Sequence, residues 1–283
     1  MMAQDCSYEE KCRLLHRLME AYTMGHTAVA FSGGADSSLL LKLAVMHAGE
    51  NGKRVIAVTA GTELHPAGDE EVARRVALET GAEHRVLAVR ELQSAGIDRN
   101  PADRCYHCKK YLFEAIRDEA AREGARAVLE GTNADDLKQY RPGLRALEEL
   151  GIKSPLREAG FTKAEVRRLA EEYGISVANR PSAPCLATRF PYGEQLTVEK
   201  LRTVERGEDY LKGLGLGNVR LRVHGNIARI EADEGDMGLL MHKRNEVAAK
   251  LKEIGYGYIT LDMEGFRSGS MDEMLPREMK ERG

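Results

Sequence analysis

Thr27-Ala28-Val29-Ala30-Phe31-Ser32-Gly33-Gly34-Ala35-Asp36-Ser37-Ser38 is the stretch whose reading decides the fold. Its first five residues make a short apolar run of the kind that forms a strand buried on both faces of a parallel sheet. The run ends in Ser-Gly-Gly, and a helix is expected from Ser37 to Ala48. A strand that turns through glycines into a helix is a device for holding an anion. The glycines let successive backbone N–H groups approach a phosphate, and the helix N-terminus adds partial positive charge. Ser32, Ser37 and Ser38 supply hydroxyl donors. Asp36 would repel phosphate unless it holds Mg²⁺ or orients the loop, so its presence points to metal-bound ATP. No Lys stands at the Walker A position, so this is a different phosphate loop.

Outward from that loop, strands and helices alternate. Strands are expected over Arg54–Thr59, His84–Val89 and Ala127–Glu130, with helices over Gly68–Thr80 and Lys109–Glu123 and a leading helix over Tyr8–Ala21. Such alternation predicts βαβ units and a doubly wound parallel α/β sheet. Leu144–Leu150 and Lys163–Tyr173 read as further helices, and proline-rich Asn179–Gly193 as an ordered loop. From Thr197 the order changes to helix, strand, strand, helix (Met237–Ile254) and strand, with Gly225-Asn226 as a hairpin turn. The expected organisation is therefore a large α/β domain over 1–195, a smaller C-terminal α+β domain over 196–263, and a flexible tail over 264–283.

The chain has 283 residues, 42% apolar and 31% charged, with a net charge of −3. That profile is globular and gives no electrostatic reason to expect nucleic acid. No apolar run reaches the roughly 18 residues of a membrane span, and the first twenty residues lack the pattern of an export signal. A soluble, cytoplasmic chain is expected. Its five cysteines, Cys6, Cys12, Cys105, Cys108 and Cys185, then read as metal ligands or reactive thiols rather than a disulfide framework. Cys6 and Cys12 read as a terminal residue and a filler of the leading helix.

Ser32 to Ser38 resembles the PP-loop of the ATP pyrophosphatase superfamily, which includes GMP, NAD and asparagine synthetases and tRNA-thiolating enzymes. The resemblance implies that a substrate oxygen attacks the α-phosphorus, giving an adenylate and pyrophosphate. It also places Thr59 and Gly61 where adenine and ribose are held. Glu130-Gly131-Thr132-Asn133-Ala134-Asp135-Asp136 follows a strand to the same rim of the sheet. Its oxygens suit Mg²⁺ beside phosphates, with Asp136 and Asp36 as ligands and Thr132 and Asn133 near ATP, although simple helix capping is an alternative. Lys163 and Arg167, four apart on one helix face, could neutralise leaving pyrophosphate.

Cys105-Tyr106-His107-Cys108 is half a metal site or a redox pair, and with Cys185 it makes three thiols. Three thiolates with an open fourth position fit an iron–sulfur cluster that keeps one iron free for an exchangeable ligand. Asn100-Pro101-x-Asp103-Arg104-Cys105-Tyr106-x-x-Lys109-Lys110-x-Leu112-Phe113, the Glu130 segment and the Cys185 segment together resemble the LarE family over roughly residues 8–262. That resemblance implies an ATP-dependent sulfur transferase acting on a pyridinium mononucleotide in nickel-pincer cofactor biosynthesis, and a homo-oligomer such as a hexamer. Members with three cysteines bind a [4Fe-4S] cluster, here on Cys105, Cys108 and Cys185. Members with one sacrifice its sulfur and keep dehydroalanine. Arg189 could hold the carboxylate or the AMP phosphate, and Arg220, Arg222 and Glu208 the mononucleotide phosphate. The rival readings are a PP-loop tRNA thiolase and a non-catalytic adenine-nucleotide sensor.

Overall fold

The computed structural model describes residues 7–138, 141–181, 184–267 and 269–274. The first unit runs α1 (Tyr8–Tyr22), β1 (Thr27–Ala30), α2 (Ala35–Glu50), β2 (Val55–Thr62), α3 (Gly68–Thr80) and β3 (Glu83–Val89). It continues through α4 (Glu91–Ser94), α5 (Arg104–Arg122), β4 (Ala127–Leu129), α6 (Gly143–Glu149), α7 (Pro155–Glu158) and α8 (Lys163–Glu172). The sheet order is β3-β2-β1-β4, parallel throughout, with Val29 opposite both Ala57 and Leu129. Because the chain leaves β1 for one side and returns to the other, the order reverses beside β1. A crevice opens there above the C-terminal ends of β1 and β4, the standard ligand position in such sheets.

Helices cover both faces. On one face α2 buries Leu39, Leu40, Leu41 and Leu43 between the sheet and an outer layer that includes α1 and α8. A helix enclosed on all sides is apolar all round, which explains its leucine run. The outer helices start on capping boxes, Ser7 with Glu10 and Thr162 with Glu165, and Lys11 pairs with Glu165 at 2.9 Å to join them. On the other face Phe113 and Ile116 of α5 pack with Val58, Leu147 and Ile152.

The second unit comprises α9 (Val198–Gly213), β5 (Val219–His224), β6 (Ile227–Ala232), α10 (Met237–His242), α11 (Arg244–Ile254) and β7 (Tyr258–Leu261). β5 and β6 form an antiparallel hairpin through Gly225, at φ +60°, and β7 pairs parallel to β6. Val219, Leu221 and Val223 alternate inward against α9 and α11. The single helix expected over Met237–Ile254 is two, because Lys243 lies at φ −92°, ψ 12° and interrupts the ladder. Of the tail, Ser270 is buried, with its hydroxyl bonded to Arg222 and Glu231. Residues 275–283 and Cys6 lie outside the described residues. Among the described residues no helix is long and apolar enough to cross a membrane.

The two units share a core. Leu64, Leu92 and Ile97, with Leu186, Ala187, Phe190 and Leu196, pack against residues of α9 and β5. At its centre Arg189 and Glu208, 3% and 2% exposed, form a two-point ion pair at 2.8 and 2.9 Å. Glu208 also accepts the Leu221 N–H at 3.0 Å. Burial disfavours the Glu208 charge, but the Arg189 fork and that N–H outweigh it and hold the carboxyl below its usual range. The resulting stabilisation is present above the ordinary glutamate range and is lost as pH falls through the lowered value. Glu208→Ala strands a buried guanidinium and should cost about 3–5 kcal/mol. A urea midpoint at pH 7 that does not move would contradict this, as would a midpoint difference from the parent that fails to shrink in acid.

Candidate active site

The phosphate loop follows β1 directly. Phe31 still donates its N–H to Val58 at 2.9 Å, as a strand residue would. Gly33 then turns at φ +70°, and a Cβ there would sit 2.9 Å from the backbone N and Cα of Ala73. Only glycine fits, because both the dihedral and the packing against α3 forbid a side chain. Gly34 is the N-cap of α2 in extended conformation and has no side-chain cap. The first-turn N–H groups of α2 therefore face the crevice with the helix dipole behind them. Helix α2 starts at Ala35, two residues earlier than the sequence pattern indicates, so Asp36 and Ser37 belong to that first turn.

The second strand-end segment touches the loop. A Cβ on Gly131 would lie 3.0 Å from Asp36 Cβ and 3.1 Å from Ser37 N, so glycine permits this close approach. Asn133 Nδ2 donates to Asp36 at 3.2 Å, and Lys163 Nζ pairs with the other Asp36 oxygen. Asp136 accepts the Asn133 N–H at 3.0 Å and pairs with Arg141 at 2.7 Å. Glu130 is buried; it accepts the Thr132 N–H and hydroxyl at 3.1 and 2.8 Å and the Ser154 hydroxyl. Thus Asp36 and Asp136 reach the crevice already held by cations, whereas Glu130, also on the cavity wall, braces the segment through Thr132 and Ser154.

These groups line one cavity of about 970 Å³, at the upper end of the roughly 300–1,000 Å³ usual for small-molecule sites. Ser32, Gly34, Asp36, Ser37, Thr59, Gly61, Thr132, Asp136 and Lys163 are on its wall, and so are Cys105, Cys108 and Cys185. Gly33, Ser38 and Asn133 do not line the wall; the Ser38 hydroxyl is buried with no hydrogen-bond partner among the described residues. The Thr59 hydroxyl is engaged by Phe31 O at 2.7 Å and His84 at 2.8 Å, and its backbone pairs in register with Val86 of β3. Arg167 is not on the wall.

Arg189, Glu208, Arg220 and Arg222 do not line the cavity. Besides Glu208, Arg189 donates to Pro184 O, Cys185 O and the Thr188 hydroxyl at 2.9, 3.2 and 2.9 Å, so its fork is occupied by the loop that carries Cys185. Arg222 is buried between Glu231, Thr188 O and Ser270. Arg220 lies over the Phe266 ring. In the chain as it stands these arginines build structure, because each guanidinium is spent on internal partners rather than turned to the ATP crevice. The sequence reading in turn missed Arg104, Lys109, Arg141, Arg180 and Arg202 on the cavity wall. Arg104 and Lys109 stand within the Asn100–Phe113 motif; Arg202 has no sequence signal, since α9 reaches the site only by docking.

The cysteine pair lies on a helix that begins at Arg104, not Lys109. Cys105 and Cys108 are thus three residues apart on one helical face in its first turns. Burial pushes the Cys108 thiol well up, reinforced by Cys185 and opposed by Arg104. Burial also raises the Cys185 thiol, with Arg104 opposing. Among the described residues no three His, Cys, Asp or Glu groups converge as the ligands of a single ion do. A four-iron cluster makes a different demand, because each cysteine binds its own iron and the sulfurs stand apart. Three thiols on one cavity wall suit that donor set.

A phosphate-binding helix start, paired carboxylates and a wall of thiols define an ATP-using enzyme of the PP-loop class. The asparagine synthase family matches residues 23–147. The chain is 40% identical over 249 residues to the pyridinium-3,5-bisthiocarboxylic acid mononucleotide synthase of Lactiplantibacillus plantarum, covering 88% of this chain and 90% of that one. It is 37% identical over 251 residues to an uncharacterised protein of Synechocystis, covering 88% and 92%. A tRNA-specific 2-thiouridylase of Pelotomaculum thermopropionicum is 29% identical over 54% of this chain and 52% of its own. The chain belongs to the LarE family of ATP-dependent sulfur-transferring enzymes.

Two expectations follow. Gly33→Ala should weaken ATP binding at least tenfold and cost roughly 1–3 kcal/mol through overpacking against Ala73; calorimetric titration with ATP checks it. In metal-free protein, raised thiol pKa values keep Cys108 and Cys185 protonated at pH 7, so their iodoacetamide labelling should be slow. It should climb through alkaline pH later than that of a free cysteine; peptide mass mapping across pH measures both curves.

Proposed function

We propose that the chain adenylates a carboxylate of a pyridinium biscarboxylate mononucleotide and converts it to a thiocarboxylate, with sulfur delivered at a [4Fe-4S] cluster held by Cys105, Cys108 and Cys185. The observation that carries this reading is the shared cavity, in which the phosphate end of α2 and three thiols face the same space. The name of the Lactiplantibacillus relative supports the choice of substrate.

The chemistry follows from what each group can do. A carboxylate is a poor electrophile. Its oxygen attacks the α-phosphorus of ATP, the bond to the β-phosphate breaks, and pyrophosphate leaves. Ser32, Ser37 and the first N–H groups of α2 hold the β,γ-phosphates, and Lys163 neutralises charge on the departing pyrophosphate. Asp36 and Asp136 have the oxygen donors Mg²⁺ takes alongside phosphates; binding it would release Lys163 and Arg141 from them. Sulfur then attacks the acyl carbon, and AMP leaves with the former carboxylate oxygen. When bound, the cluster supplies an iron without a cysteine ligand that can carry an exchangeable sulfur. Arg189 acts as a positioning residue, because it fixes the Cys185 loop. Arg220 and Arg222 stay proposed for the substrate phosphate, together with assembly into a homo-oligomer in the reducing cytoplasm.

Anaerobically reconstituted protein should release pyrophosphate only when ATP and a pyridinium-3,5-biscarboxylate mononucleotide are both present. Lys163→Ala should slow that release about 100-fold. Absence of substrate-dependent release would falsify the adenylation step. Cys185 should keep its mass after turnover; loss of about 34 Da, the mass of H₂S, would instead show that its own sulfur is consumed.

A further inference from the structure

Arg104 is 2% exposed, yet it lies on the wall of the shared cavity beside the cysteines. A buried cation is costly unless something answers its charge. Among the described residues no carboxylate pairs with it. Its guanidinium bonds the Asn100 side-chain oxygen, approaches Cys105 Sγ at 3.9 Å, and lies 5.8 Å from the Tyr192 ring centre. Cys105 and Cys185 line the same cavity wall as this guanidinium. The molecule has therefore placed a lone buried cation between two sulfur-bearing segments about eighty residues apart in sequence.

Asn100 explains how it is held there. It is fully buried and the one non-glycine residue at positive φ (48°) among the described residues. That strained backbone persists because the side chain is bonded on all sides. Its side-chain amide donates to Phe190 O and Pro191 O at 3.1 and 2.8 Å, and its backbone carbonyl accepts the Gly193 N–H at 3.0 Å. Asn100 thus grips the loop that carries Cys185, while its side-chain oxygen grips Arg104 at the start of the Cys105–Cys108 helix.

We propose that the Asn100–Arg104 pair positions the sulfur site: Asn100 sets the Cys185 loop against the cysteine helix, and Arg104 is the fixed counter-cation of the sulfur group bound between them. Three thiolates outweigh the charge of an oxidised four-iron core, so the loaded site is an anion, and a captured sulfide makes it more so. A guanidinium already in place neutralises it without reorganisation. The inference rests on the cluster reading of the cysteines, and its test has an arm that does not.

In the first arm, protein is reconstituted anaerobically and its iron, sulfide and midpoint potential are measured. Arg104→Gln should retain less than a third of the parent's iron, and the remainder should titrate at a more negative potential, because an electron is harder to add without the cation. Arg104→Lys should restore both. Equal iron and an unshifted potential in Arg104→Gln overturn the counter-cation role. In the second arm, cluster-free protein in a Cys108→Ala background is treated with dibromobimane, which fluoresces on bridging two thiols, and the bridged peptides are mapped. Asn100→Ala should lower the Cys105–Cys185 bridging yield at least fivefold, and an unchanged yield overturns the positioning role. ATP binding within twofold of the parent shows that each variant is folded. A parent that takes up no iron refutes the cluster reading itself, and the bridging arm then decides positioning alone.

Discussion

The buried pair of Arg189 and Glu208 is the interaction on which the rest of the molecule depends. It lies where α9, β5 and the Cys185 loop meet, with almost no access to water. Two charges in such a place are tolerable only if every donor and acceptor is met. They are: Glu208 takes the Leu221 N–H, and Arg189 takes two backbone oxygens of the loop and the Thr188 hydroxyl. Arg222 adds a bond to Thr188 O at 2.6 Å, anchored in turn on Glu231. An irregular, proline-containing segment is thereby given one conformation, with Cys185 facing the ATP crevice.

The crevice has a complementary logic. A parallel sheet that reverses its order beside β1 must open above β1 and β4. Two glycines then let the adjoining segments close in, Gly33 against α3 and Gly131 against the start of α2. The result is a helix N-terminus facing the crevice and two carboxylates poised against Lys163 and Arg141.

Much of this was legible in the sequence, for identifiable reasons. The strand–glycine–helix transition has a period change and a turn chemistry that few other structures share, and so it announced the sheet and its ligand edge. The start of α5 was less visible: Cys, Tyr and His are indifferent helix formers, so the pattern began only at Lys109, and the helical placement of both cysteines was hidden. Ser38 adjoins Ser37, and one further step round the helix turns its hydroxyl into the interior, which no local pattern announces. Arg189, Arg222 and Glu208 are charged, but charge alone does not reveal the internal partners each one has in the fold.

By itself the sequence determined the α/β class, the position of the phosphate loop and the identity of the three thiols, because each depends on local periodicity, turn chemistry or residue type. Tertiary structure alone decided which charges face the cavity, why Arg104 is buried beside Cys105, and how residues 104, 105 and 185 come to share one wall. Those outcomes depend on long-range docking, where hydrogen-bond satisfaction and desolvation set the partner of each buried charge, and neither is encoded at neighbouring positions of the chain.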